Sequence, residues 1–225
     1  MKYKSKTNSF EEVPCIIALD QSYTRTGISI CVNGIVKKCY SVDLKNIKYR
    51  TTKRMLVKKY LEKALDSCLK HYESSQIVVI VERIRTFTGT DSLRPEIIKS
   101  LASLVSMIVD TAFVRGIKCY SVDTRCWKAK ILGTSKPEFE PIFGVKDPQK
   151  FGSVRKAIAL GFEENLRVYT GGKKGINLVP SVTMCEGMPD KVPDNIKSYN
   201  DDMADAICMS LYPFSGGPYN LKLEQ

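Results

Sequence analysis

CIIALDQSYTRTGISI, residues 15 to 30, is an apolar run that stops on Asp20 and turns back through Gly27. Continuous apolar sequence from Cys15 to Leu19 is the pattern of a strand covered on both faces. A carboxylate at the end of such a strand is costly to bury unless a cation or hydrogen bonds compensate it. Asp20 therefore points to a site, and the rest of the chain is read for the residues that join it.

Two more strand-like runs follow, Gly27 to Val32 and Ile35 to Val42, joined by Asn33-Gly34, a strong hairpin signal. The chain thus opens as a three-stranded antiparallel meander. From Tyr49 to Tyr72, apolar residues at Leu56, Val57, Tyr60, Leu61, Ala64, Leu65, Cys68 and Leu69 keep helical spacing. Lys53, Arg54, Lys58, Lys59 and Lys63 give that helix a basic exterior. Ile77 to Val81 is again continuously apolar and ends on Glu82, as the first strand ends on Asp20. A loop over 83–90, a second helix through Ala112 and a strand over 117–122 follow. Strands alternating with long helices predict parallel pairing through right-handed crossovers. The expected fold class is α/β: a mixed five-stranded sheet, meander first and parallel strands after, flanked by helices.

Beyond Asp123-Thr124 a helix over 125–132 carries Trp127, and another is predicted over 153–162. Residues 137–199 are rich in proline, glycine and charge and read as an insertion in a single domain spanning 1–225. The last clear element is NDDMADAICMSLY, Asn200 to Tyr212, capped by Asn200 and buried through Ala204, Ile207, Cys208 and Leu211. Asp202 and Asp205 lie three apart on neighbouring parts of one face, with Asp201 in reach. Residues 213–225 read as a loose tail.

Composition narrows the partners. Of 225 residues 43% are hydrophobic, enough for a real core, and the formal charge is +11 with a sequence pI near 9.2. The basic residues are spread along the chain, which favours a broad basic surface and a nucleic-acid partner. Eight cysteines at 15, 31, 39, 68, 119, 126, 185 and 208 form no CxxC pair, fitting buried thiols in a reducing cytoplasm, or a host cytoplasm if the source is viral. The single histidine, His71, excludes histidine-based zinc sites. No apolar run is long enough to span a bilayer, and the polar first residues give no signal peptide, so no membrane partner is expected.

An Asp and a Glu at strand ends with a helix presenting D-x-x-D is an arrangement suited to two divalent cations. Mg²⁺ prefers carboxylate and water oxygens, and two ions about 4 Å apart can activate water and stabilise the leaving oxygen of a phosphodiester. Asp20 would bridge both ions, Glu82 would bind one, and Asp202 with Asp205 the other; Mn²⁺ is the expected substitute. Each acid has a plainer alternative. Asp201 and Asp202 suit a first helical turn through the macrodipole. Glu82 has Arg83 and Arg85 as neighbours to pair with, and Asp20 has Ser22 for a turn cap. For a substrate face the first choices are Lys128, Lys130, Lys136, Arg155 and Lys156, because phosphate contacts dominate affinity.

The order IIALDQS, hairpin, IVVIVE, long helix, strand and a final D-x-x-D-A helix resembles the RuvC-like Holliday junction resolvases of the RNase H-like superfamily, in particular their bacteriophage forms. The resemblance covers nearly all of 15–136 and 200–212. It implies an RNase H-like fold, Asp20, Glu82, Asp202 and Asp205 as metal-binding catalytic acids, and a homodimer that resolves four-way DNA junctions by two symmetric nicks. Where bacterial members often carry a phenylalanine three residues after the Glu, this chain has Arg85, and Phe87 two further on becomes the candidate for stacking on an unpaired base. Three rivals stay open: another RNase H-like nuclease or integrase, a binding protein on the same fold, and an actin-like ATPase. The last shares the opening strand, acid and hairpin but needs a second similar half, of which the sequence shows none.

Overall fold

The structure, a computed structural model, describes residues 13–84, 95–134, 136, 140–142, 144–169, 196–216 and 221–224. In chain order the elements are β1 (Cys15–Asp20), β2 (Arg25–Val32), β3 (Ile35–Asp43), α1 (Arg50–Leu69), β4 (Ile77–Glu82), α2 (Pro95–Phe113), β5 (Lys118–Val122) and α3 (Thr124–Leu132). They continue with α4 (Phe151–Ala159), α5 (Glu163–Leu166), β6 (Arg167–Tyr169), β7 (Ile196–Tyr199), α6 (Asp201–Leu211) and β8 (Leu221–Glu224).

The meander forms as its sequence dictates. β1 and β2 pair antiparallel with Asp20 opposite Gly27, and β2 pairs with β3 across a turn whose central residues, Asn33 and Gly34, both have positive φ of 49° and 77°. That is the geometry a two-residue hairpin needs to match strand twist, and Asn-Gly adopts it at little cost. β4 then joins β1 in parallel and β5 joins β4 in parallel, giving the order β3-β2-β1-β4-β5-β8. The sheet is mixed, as expected, but has six strands where the sequence suggested five. The sixth, LKLE, pairs antiparallel with β5 and comes from the 213–225 segment; four residues are too short a run to stand out as a strand. Within 137–199 the described residues hold α4, α5 and a separate two-stranded sheet of β6 and β7.

Each side of the main sheet has its own core. Cys15, Ile17 and Leu19 of β1 and Ile77, Val79 and Val81 of β4 pack on the face covered by α1 and α2. Ile16 and Ala18, with Val78 and Ile80, pack on the opposite face with Trp127 of α3, Val154 of α4 and Ile207 of α6. Ile16, Ile17 and Leu19 have no solvent exposure, and burial of each contributes about 1.5–3 kcal/mol. Among the described residues no helix is long and apolar enough to cross a membrane.

Candidate active site

Period-two alternation decides where the strand-end acids point. Asp20 follows Ile16 and Ala18, and Glu82 follows Val78 and Ile80, so both carboxylates belong to the α6 side of the sheet. The parallel register pairs Leu19 with Val81, which leaves Asp20 and Glu82 at the same height on adjacent strands. Gln21 locks them there: its side-chain amide donates to the Glu82 carbonyl at 2.6 Å and its side-chain oxygen accepts the Glu82 N–H at 3.1 Å. The Glu82 carboxylate accepts a hydrogen bond from Thr124 Oγ1 at 2.5 Å, so the first residue of α3 orients it.

The other two acids arrive on α6. Its N-cap, Asn200, accepts the Met203 N–H at 3.1 Å and donates through Nδ2 to Ser41 Oγ on β3 at 2.6 Å. At the far end Ser210 and Ser29 of β2 share a buried hydrogen bond of 3.0 Å. Between these ties the helix lies almost on the strand backbone. A Cβ built on Gly27 would come within 2.1 Å of the Asp202 carbonyl oxygen, so only glycine fits. Asp202 and Asp205 are thereby brought over the end of β1, with Asp205 only 2% exposed.

A lysine fills the centre. Lys150, at the end of a 3-10 turn Pro148–Lys150, places Nζ 2.8 Å from Asp20 Oδ2, 2.7 Å from Asp205 Oδ2 and 3.3 Å from Asp202 Oδ1. Burial pushes the Asp20 carboxyl well above its ordinary range; the Lys150 charge opposes this, and Glu82, Asp205 and Asp202 add to it. Burial likewise raises Asp202, against the pull of Lys150. For Lys150 burial works to discharge the ammonium, but Asp20, Asp205 and Asp202 outweigh it and hold the group well above the usual lysine value. One ammonium is too little positive charge to offset the burial of these carboxylates, which is why Asp20, Asp202 and Lys150 all shift upward. The turn itself is held by Lys128, whose Nζ donates to the Gln149 carbonyl at 2.6 Å, and by Asp147, which accepts the Gln149 N–H at 2.9 Å.

These residues fit a hard divalent cation. All the donors are carboxylate oxygens, three of the side chains already converge on one point, and Asp205 Oδ1 is a buried acceptor with no hydrogen-bond partner. Among the described residues no three metal-type side chains stand close enough to share an ion as placed. The aspartate oxygens stand 2.7–3.3 Å from the ammonium, farther than the roughly 2.0–2.1 Å of Mg²⁺–oxygen contacts. A cavity of about 510 Å³ bordered by Arg83, Val105, Asp110, Ser121 and Glu224 reaches Glu82 from the α2 face of the sheet, the opposite side from the acid cluster.

The four acids expected together, Asp20, Glu82, Asp202 and Asp205, all lie at this one end of the sheet. Asp201 stands apart, with its carboxylate 3.7 Å from Arg25. Two of the plainer partners weighed for the strand-end acids, Ser22 and Arg83, are engaged elsewhere. Ser22 bonds to Thr24 and the Arg25 carbonyl, and Arg83 donates to Ser121 Oγ and the Ser121 carbonyl. Of the basic residues, Lys130 and Lys136 are exposed, Arg155 and Lys156 are half-buried, and Arg155 pairs with Glu140. Lys128 is 5% exposed and lies over Trp127, inside the protein rather than on the surface assumed for it. Arg85 and Phe87 fall outside the described residues. Sequence reasoning missed Lys150, Gln21 as a clamp, and Thr124 as the partner of Glu82. It also left aside Lys53, which donates to the Tyr23 carbonyl beside the turn after β1.

No family model matches the sequence, and no curated protein matches it significantly. Among solved structures, RuvC of Thermus thermophilus in complex with a Holliday junction substrate aligns with a TM-score of 0.49 at 11% identity, over 88% of this chain and 90% of that one. A second Thermus thermophilus RuvC structure aligns with a TM-score of 0.48 at 13% identity, over 88% of this chain and 92% of that one.

Proposed function

We propose that the chain is a metal-dependent endonuclease of branched DNA, a RuvC-like resolvase on an RNase H-like fold that cuts four-way junctions by paired phosphodiester hydrolysis. The observation that carries this reading is the convergence of Asp20, Asp202 and Asp205 on one buried point beside Glu82. Bound Mg²⁺, or Mn²⁺ in its place, supplies water activation and charge neutralisation at the phosphodiester. Asp20, Glu82, Asp202 and Asp205 would hold the metal, with Asp20 central among them. Gln21 and Thr124 keep the Glu82 side from drifting away from Asp20. Lys130, Lys136, Arg155 and Lys156 contact backbone phosphates, as a net charge of +11 favours, with Arg155 leaving Glu140 to do so. Arg85 and Phe87, which follow Glu82 in the sequence, are the further DNA-binding residues, Phe87 by stacking on an unpaired base. Paired nicks need two such clusters, so the working form is a homodimer, each copy cutting one strand.

The test is cleavage of a synthetic four-way junction, a flap, a single-stranded loop and linear duplex, each with Mg²⁺ and with Mn²⁺. Junction cutting in symmetric pairs, abolished in Asp20→Asn and Asp205→Asn, is the expected result. Equal cutting of linear duplex, or full activity in those variants, would overturn the reading. Cutting confined to another branched or single-stranded substrate would point to a different nuclease or an integrase of the same superfamily.

A further inference from the structure

Lys150 uses its three N–H bonds on the three aspartates that the proposed function assigns to metal. Its Nζ stands where their oxygens converge, so a divalent ion and this ammonium cannot occupy the point together. The turn that carries it is anchored through its backbone, by Lys128 to the Gln149 carbonyl, by Asp147 to the Gln149 N–H and by the Lys150 N–H to the Asp147 carbonyl. The flexible four-carbon stem of Lys150 is tied only at its tip, to the aspartates. Without a cation this end of the sheet would hold buried carboxylates with no compensating charge, a strongly destabilising arrangement.

We propose that Lys150 is a displaceable resident cation: it holds Asp20, Asp202 and Asp205 together in the metal-free protein and yields their oxygens to the first divalent ion. The inference rests on the metal-dependent reading above. Lys128 acts as a positioning residue, since its bond to the Gln149 carbonyl sets how firmly Lys150 is presented. The two states share one set of ligands, so the stability that the lysine lends the metal-free protein weakens ion binding by an equal amount, as linkage demands. The arrangement keeps the aspartates gathered before metal arrives and sets a concentration threshold for loading.

Calorimetric titration with Mg²⁺ and with Mn²⁺, and thermal melting with and without each ion, test this on the full chain. Lys150→Met should melt at a lower temperature without metal and bind the first ion at least about tenfold more tightly, within the 5–150-fold range usual for coupled sites. Lys128→Met should shift both in the same direction by a smaller factor. Wild-type protein provides a check independent of any variant: amine acetylation read by mass spectrometry should label Lys150 slowly without metal and faster once Mg²⁺ is added. Metal binding that is unchanged or weaker in Lys150→Met, or labelling insensitive to Mg²⁺ while the wild type binds the ion, overturns the displacement and leaves the metal reading standing. Absence of ion binding in both proteins overturns the two together.

Discussion

Asp20, Asp202 and Asp205 are gripped by a single lysine and closed in by α6, whereas Glu82 is outside that grip, held by a threonine hydroxyl. The aspartate half is organised by charge and depends on a helix tied down at both ends. The glutamate half is organised by neutral hydrogen bonds from Gln21 and Thr124. The two halves therefore differ in what sets them: a charge balance for the closed, aspartate half and local hydrogen bonds for the glutamate half.

Breaking the closed half should have the largest effect. Asp205→Asn removes a ligand and leaves a buried amide against Lys150; nicking should fall beyond the roughly 100-fold limit usual for outer-shell changes, as measured in single-turnover junction cleavage. A fall no greater in Asp205→Asn than in Thr124→Val would erase the distinction between the halves. Next is Gly27→Ala, where the added methyl meets the Asp202 carbonyl oxygen at 2.1 Å and pushes α6 off β2. Overpacking of this kind costs about 1–3 kcal/mol, readable in a denaturant melt, and activity should drop with it. On the glutamate half, Thr124→Val removes the donor to Glu82 and should lower metal affinity or activity about tenfold with little change in stability. The smallest effect belongs to Ser210→Ala, which loosens the distal tie of α6 by about 0.5–1.5 kcal/mol. A larger loss there than in Gly27→Ala would mean that the ties, not the close approach, set the helix.

What the residues revealed in advance is what local pattern encodes. Continuous apolar runs ending on Asp20 and Glu82 put both acids at strand ends, and D-x-x-D beside a buried stripe supplied the second pair. Lys150 was not legible, although its necessity was. Buried acids without histidine demand a cation, yet the chain offers 35 lysines and arginines, and only the folded path brings position 150 to position 20. Lys128 shows the converse: a helical lysine after a strand looks like a solvent residue until α4 and the preceding turn cover it. Helix α6 appeared one-faced because Ala204, Ile207 and Cys208 make a stripe, whereas Met203 through Ser210 are all buried, since α3 and α4 pack on its outer side.

The hydrogen bonds that seat α6 join residues far apart along the chain, Ser29 with Ser210 and Ser41 with Asn200. On the ribosome, β1 to β4 emerge well before the helix that completes their inner face. Asp20 and Glu82 therefore wait in a partly built sheet until α6 arrives. The acid cluster is complete only once α6 has docked, so whatever chemistry it supports waits on a contact between residues 181 positions apart.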